Sequence, residues 1–179
     1  GHAKYYASLS ADDYYSTENK GHWLGSGAAA MGFSGAITAA ALLNAFNGRS
    51  ADGARQLVQP HKRRRPGYDL TFSDPKEVSI LWALGDSHLV DVILQARRAA
   101  LLKTIGIMES DFLTARMGRG GAQKVAVKIL GGAYDHVISR ESDPQLHTHF
   151  LLIKLALRPG STGSLEAKKV VESKMLLGR

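Results

Sequence analysis

An α+β fold is predicted for this 179-residue chain, and three observations predict it. Residues 68–73 alternate strictly: Tyr68, Leu70 and Phe72 face one side and Asp69, Thr71 and Ser73 the other, as in a half-buried strand. Two extended runs, 134–138 and 147–153, flank the turn signal Ser142-Asp143-Pro144, so the chain is expected to fold back as an antiparallel hairpin. Apolar residues recur at helical spacing in 38–47, 75–84 and 89–113. The length suits one domain, and a hydrophobic content of 44% is ample for a core.

Gly1-His2 reads as a cloning scar. Two tyrosine pairs follow, Tyr5-Tyr6 and Tyr14-Tyr15, which place four of the six tyrosines in a short polar segment. Residues 23–27 read as a glycine-punctuated loop and 28–31 as a short helical turn ended by Gly32. Thr38 caps a helix reaching Asn47, with Ala41, Leu42, Ala45 and Phe46 on one face and Gly48 as its stop. After the 68–73 strand, Asp74-Pro75-Lys76-Glu77 has the order of a helix start: capping residue, proline, then an acidic residue in the first turn. That helix is expected to reach Leu84. Gly85-Asp86 interrupts it, and a long amphipathic helix runs from Leu89 to about Leu113, its apolar face drawn from Leu89, Val92, Ile93, Ala96, Ala100 and Leu101. Residues 117–121 form a basic, glycine-rich turn. Residues 124–130 alternate Lys124, Ala126 and Lys128 against Val125, Val127 and Ile129, as in a strand with one basic face. The hairpin comes next, then a turn at 159–163 and a final amphipathic helix from Leu165. Nothing caps that helix at Arg179, so the domain is expected to extend past both ends of the chain.

A formal net charge of +7 and a pI near 9.7 point to a polyanionic partner, nucleic acid first, and Lys62-Arg63-Arg64-Arg65 is the densest local expression of that charge. The absence of cysteine excludes disulfides, thiolate nucleophiles and Cys-based zinc sites, and leaves histidine and carboxylate as metal ligands. No signal-peptide pattern opens the chain and the longest apolar stretch, 39–46, is too short to span a bilayer, so a cytoplasmic protein without membrane insertion is expected. Three of the seven histidines fall in one block. His147 and His149 share a strand face, and the hairpin brings His136 opposite them, so that three imidazoles converge. Three neutral imidazoles with no fourth protein ligand describe a metal site with coordination positions open to water or substrate.

Four blocks together resemble the conjugative DNA relaxases of the MobF type, within the HUH endonuclease class. They are the doubled tyrosine pairs, residues 23–35, the run Arg65-Pro66-Gly67-Tyr68-Asp69-Leu70-Thr71-Phe72-Ser73-Asp74-Pro75-Lys76, and the block from His136 to His149. Thr148 stands between the last two histidines, where the class name calls for a bulky hydrophobic residue. The resemblance implies a central antiparallel sheet flanked by helices, and it makes the chain a relaxase domain over 1–179. It implies a nucleophile, Tyr5, that attacks one phosphodiester of single-stranded DNA, leaving a 5′-phosphotyrosyl adduct and a free 3′-hydroxyl. Tyr14 matches the first tyrosine of the second pair, with Tyr6 and Tyr15 as secondary candidates. A divalent ion, Mg2+ or Mn2+ in use although Zn2+ or Ni2+ would also suit three histidines, is expected on His136, His147 and His149. Asp69 either assists the tyrosine or orients a ligand imidazole. Lys62, Arg63, Arg64, Arg65, Lys76, Lys124, Lys128 and Arg140 would line a phosphate channel, with Trp23 available for base stacking. Expected partners are the transfer-origin hairpin, relaxosome accessory proteins and a coupling protein, met by a monomer. A rolling-circle initiator or transposase is disfavoured because its histidine motif precedes its tyrosine. A non-catalytic, metal-containing DNA-binding module is the alternative from another class.

Overall fold

Two long strands from the middle of the chain organise the rest of it. The computed structural model describes residues 21–61 and 64–167. Along these run β1 (His22–Leu24), a 3-10 turn (Ala29–Met31), α1 (Ala39–Phe46), β2 (Gly67–Ser73), α2 (Lys76–Leu84) and α3 (Ser87–Ile107). They continue as a π-helical turn (Met108–Phe112), β3 (Thr114–Met117), β4 (Gln123–Val125), β5 (Lys128–Ile138), β6 (Pro144–Arg158), β7 (Ser161–Gly163) and β8 (Leu165–Glu166). The central sheet has the order β1-β5-β6-β2, entirely antiparallel, and β7 pairs with the far end of β6. A smaller antiparallel sheet, β4-β3-β8, is separately hydrogen-bonded but shares the core, where Ala115 and Leu165 pack with Phe150 and Leu152.

The sheet is covered on both faces, which is why residues 150–156 of β6 are almost continuously apolar instead of alternating. On one face α3 brings Leu101 and Ile105 against Leu24, Leu70, Phe150 and Leu152. On the other, α1 and the 3-10 turn bring Leu42, Phe46, Met31 and Phe33 against Tyr134, Leu151 and Ile153. Each such fully buried side chain contributes roughly 1.5–3 kcal/mol relative to exposure. Close packing also fixes Gly131, because a Cβ there would lie 2.2 Å from the ring of Phe150, itself fully buried.

Several local expectations hold. Thr38 caps α1 by accepting from the Ala41 amide at 3.1 Å, and the buried face is Ala41, Leu42, Ala45 and Phe46. Others are corrected. Trp23 and Leu24 belong to β1 rather than a loop, because the edge of β5 offers them hydrogen-bond partners. Asp74 does not cap α2; Pro75 holds that position, and the Asp74 carboxylate instead accepts from Arg97 Nε at 2.6 Å. The long helix starts two residues earlier than expected, where Asp86 caps the Leu89 amide at 2.9 Å, and it loosens into the π-helical turn from Met108. Its buried positions are Leu101 and Ile105, while Val92 stays 48% exposed. Residues 124–130 are not one strand: the ladder breaks at 126–127 and its halves join different sheets. Leu165 and Glu166 pair with β3 instead of opening a helix, and the remainder of that expected helix lies outside the described residues. Among the described residues, no helix is long and apolar enough to cross a membrane.

Candidate functional site

The β5–β6 ladder sets His136 directly opposite His147, and the β2–β6 ladder sets Thr71 opposite His149. Because opposed residues share a face, the three imidazoles come together with centroids 5.1 Å apart for His136–His147 and 5.3 Å for each of the other pairs. His147 is buried at 7% exposure. The hairpin tip is closed by Ser139, whose amide donates to the Asp143 carbonyl at 2.9 Å and whose hydroxyl accepts from the Glu141 and Asp143 amides. From outside the hairpin, α2 grips the start of β6. The fully buried Ser79 hydroxyl accepts from the Leu146 amide at 3.0 Å, and Lys76 Nζ donates to the Pro144 carbonyl at 2.9 Å.

Hydrogen bonds on the far side of two rings define their tautomers. His149 Nδ1 lies 3.0 and 3.2 Å from the two carboxylate oxygens of Asp69, with Thr71 Oγ1 at 3.4 Å. His147 Nδ1 lies 2.9 Å from the Gln145 carbonyl. A carboxylate and a carbonyl accept only, so each ring donates from Nδ1–H, the arrangement that leaves Nε2 as the nitrogen to hold a metal ion. Burial, with further repulsion from His147 and His149, pushes His136 down to about 4, which keeps it neutral at physiological pH and suited to ligation. An ion about 2.1 Å from one nitrogen of each ring, in tetrahedral arrangement, places ring centroids roughly 5 Å apart. The spacing and the donor chemistry therefore fit a divalent ion. Among the described residues, no group of three histidine or carboxylate side chains is closed into a metal cage, so the three rings stand near one another without yet converging on one point.

Other expected site residues are scattered. Tyr5, Tyr6, Tyr14, Tyr15, Lys62 and Arg63 lie outside the described residues. Arg140 is exposed in the hairpin tip, and Arg65 and Lys128 are exposed. Arg64 turns inward: its guanidinium donates to the carbonyls of Phe46 and Lys154, and burial lowers its pKa. Lys76 holds the hairpin, and Lys124 sits on the smaller sheet near Glu166. Trp23 is half-buried, packed on Phe33 with ring centroids 4.8 Å apart. Sequence reasoning did not find Ser79 or the Gln145 carbonyl. A serine inside a helix carries no signal of a distant backbone partner, and a carbonyl carries no residue signature at all.

The family model described as TrwC relaxase matches residues 1–179. The chain belongs to the TrwC relaxase family. The multifunctional conjugation protein TraI of Escherichia coli is 32% identical over 164 residues, which cover 89% of this chain and 9% of that protein. The conjugative relaxase TrwC, solved metal-bound in complex with oriT DNA, superposes with a TM-score of 0.78 at 28% identity, over 98% of this chain and 62% of that one. A copper-bound TrwC complex with oriT DNA gives 0.75 at 32% identity, over 99% of this chain and 62% of that one. The chain thus spans less than two thirds of the solved TrwC chains and a small fraction of TraI. The mixed architecture, with its antiparallel sheet flanked by helices, is that of the TrwC relaxase fold.

Proposed function

We propose that this chain is the DNA-nicking domain of a conjugative relaxase, acting on single-stranded DNA at a transfer origin and later rejoining the strand it cut. The observation that carries the reading is the convergence of His136, His147 and His149 with a carboxylate behind one of them, in a chain of the TrwC relaxase family. Solved TrwC complexes with oriT DNA, one of them with a 27-mer comprising the recognition hairpin and the cleavage site, support the same substrate class.

His136, His147 and His149 would hold a divalent ion, for which Mg2+ or Mn2+ is the expected physiological choice. When bound, that ion supplies Lewis-acid stabilisation of charge on the scissile phosphate. Tyr5, assigned by its place in the tyrosine block, brings its phenolic oxygen to phosphorus; the O–P bond forms as the bond to the 3′ oxygen breaks, and the proton lost by tyrosine is matched by one gained at the 3′-hydroxyl. A phenol is mostly protonated at neutral pH, so its ionisation needs help from the site. Asp69 fits the role of orienting His149, because its two oxygens are both within hydrogen-bonding reach of Nδ1. Tyr14 is the candidate for the later strand transfer. The phosphotyrosyl ester keeps the energy of the bond it replaces, so rejoining requires no nucleotide cofactor.

The test is a denaturing gel of the protein mixed with single-stranded oligonucleotides tiling the transfer origin of its parent element, with Mn2+ or with chelator. A metal-dependent covalent adduct mapped to Tyr5 by mass spectrometry is expected, together with its loss in Tyr5→Phe at nearly unchanged DNA affinity. Tight DNA binding with no adduct from the unaltered protein would make it a non-catalytic binding module.

A further inference from the structure

Behind the imidazoles, on the opposite face of the central sheet, a chain of polar side chains runs through a largely apolar wall. Thr148 is 4% exposed and, lying between His147 and His149 on β6, points away from both. Its hydroxyl donates to Asp135 Oδ1 at 2.5 Å, across the register that pairs Asp135 with Thr148. From α3, Arg97 brings Nη2 to 3.5 Å from the same hydroxyl and donates from Nε to Asp74 Oδ2 at 2.6 Å. The side chains of that ion pair are 11% and 21% exposed. A cavity of about 310 Å³ borders the group, its wall completed by Arg98 and the apolar Trp82, Leu94, Leu101 and Val137.

The placement matters because of what adjoins each residue. Asp135 precedes His136, Thr148 separates His147 from His149, and Asp74 follows the strand that carries Asp69 and Thr71. One hydroxyl thereby links the backbone positions of all three imidazoles and ties them to α3 and to the end of β2. Strand propensity alone would accept valine at 148 as readily as threonine, and valine suits the apolar wall better. The hydroxyl is what the network uses. Without it, Asp135 Oδ1 loses the donor and Arg97 Nη2 the acceptor that this hydroxyl supplies, and a buried polar network with fewer of its bonds made is held less firmly in one arrangement.

We propose that Thr148, Asp135 and Arg97 are positioning residues for the histidine trio, fixing from the opposite face of the sheet the angle at which the three rings meet. This rests on the metal-holding reading of His136, His147 and His149. Thr148→Val removes the hydroxyl with little change of shape, and Thr148→Ser keeps it. Mn2+ affinity is measured by calorimetry, Co2+ coordination by its visible absorption, and thermal unfolding without metal reports the fold. Thr148→Val is expected to weaken metal binding by ~10-fold or more, in the range seen for residues that support metal ligands, and to alter the Co2+ spectrum, with Thr148→Ser restoring both. Arg97→Met, which leaves both strands of the hairpin intact, is the second variant and is expected to weaken binding several-fold. Wild-type affinity and spectrum in folded Thr148→Val and Arg97→Met would overturn the inference alone. Failure of the unaltered protein to bind either metal would overturn the ligand reading, and this inference with it.

Discussion

At the scale of single residues, the chemistry of the site is a matter of which nitrogen carries a proton. Asp69 and the Gln145 carbonyl place the protons of His149 and His147 on Nδ1, and burial keeps His136 neutral. The two roles open to Asp69 make opposite predictions. If it orients His149, Asp69→Asn, which keeps an oxygen acceptor, will lose less Mn2+ affinity than Asp69→Ala, for which a ~10–100-fold loss is expected. Cleavage rates will then follow metal affinity across both variants. Asp69→Asn with full metal affinity and no cleavage would instead mark Asp69 as a base acting on the tyrosine. Strand alternation made His147, His149 and Asp69 legible, since period two assigns faces without reference to the rest of the fold. Arg64 was not legible, because nothing in a run of four basic residues tells which one finds carbonyls at Phe46 and Lys154.

Elements were read correctly where local signals had no distant competitor. The cap, apolar face and stop of α1 lie within a dozen residues, and all three appear as read. At α2 the capping signal at Asp74 loses to Arg97, since an ion pair with a part-buried guanidinium outweighs a terminal amide that water can reach. Between β4 and β5 the alternating pattern continues while the backbone changes sheet, and alternation cannot report a change of partner. Removing the cap that did form, in Asp86→Ala, is expected to cost about 1 kcal/mol. Gly131→Ala is expected to cost more, roughly 1–3 kcal/mol, because the added methyl meets the ring of Phe150 in a filled core. Urea unfolding of the two variants would rank them, and the reverse order would mean that β5 can shift away from β6 near Gly131.

For the whole molecule, the net charge of +7 is the property that acts at a distance, and the fold decides which charges are available to do so. Arg65, Lys128 and Arg140 are exposed, whereas Arg64 is engaged with the chain's own carbonyls. Single-stranded DNA affinity, followed by fluorescence anisotropy over a range of KCl concentrations, should fall linearly on logarithmic axes. Neutralising a cation that contacts phosphate should reduce the slope by ~0.7. Arg140→Gln is expected to do so, and Arg64→Gln is expected to leave the slope unchanged while lowering stability. An unchanged slope for Arg140→Gln would remove the hairpin tip from the DNA path.

The manner in which that tip is closed has a practical corollary. Ser139 gathers the turn onto itself, while the grip on the histidine-bearing strand comes from Ser79 and Lys76 further along. The bonds that close the turn run to the backbone amides of Glu141, Ser142 and Asp143, so the length of the turn is fixed while the side chains at 140 and 141 are not what closes it. Under the proposed function, the tip is where side chains can be exchanged beside the three imidazoles to alter what the site accepts, while the hydrogen bonds beneath stay as they are.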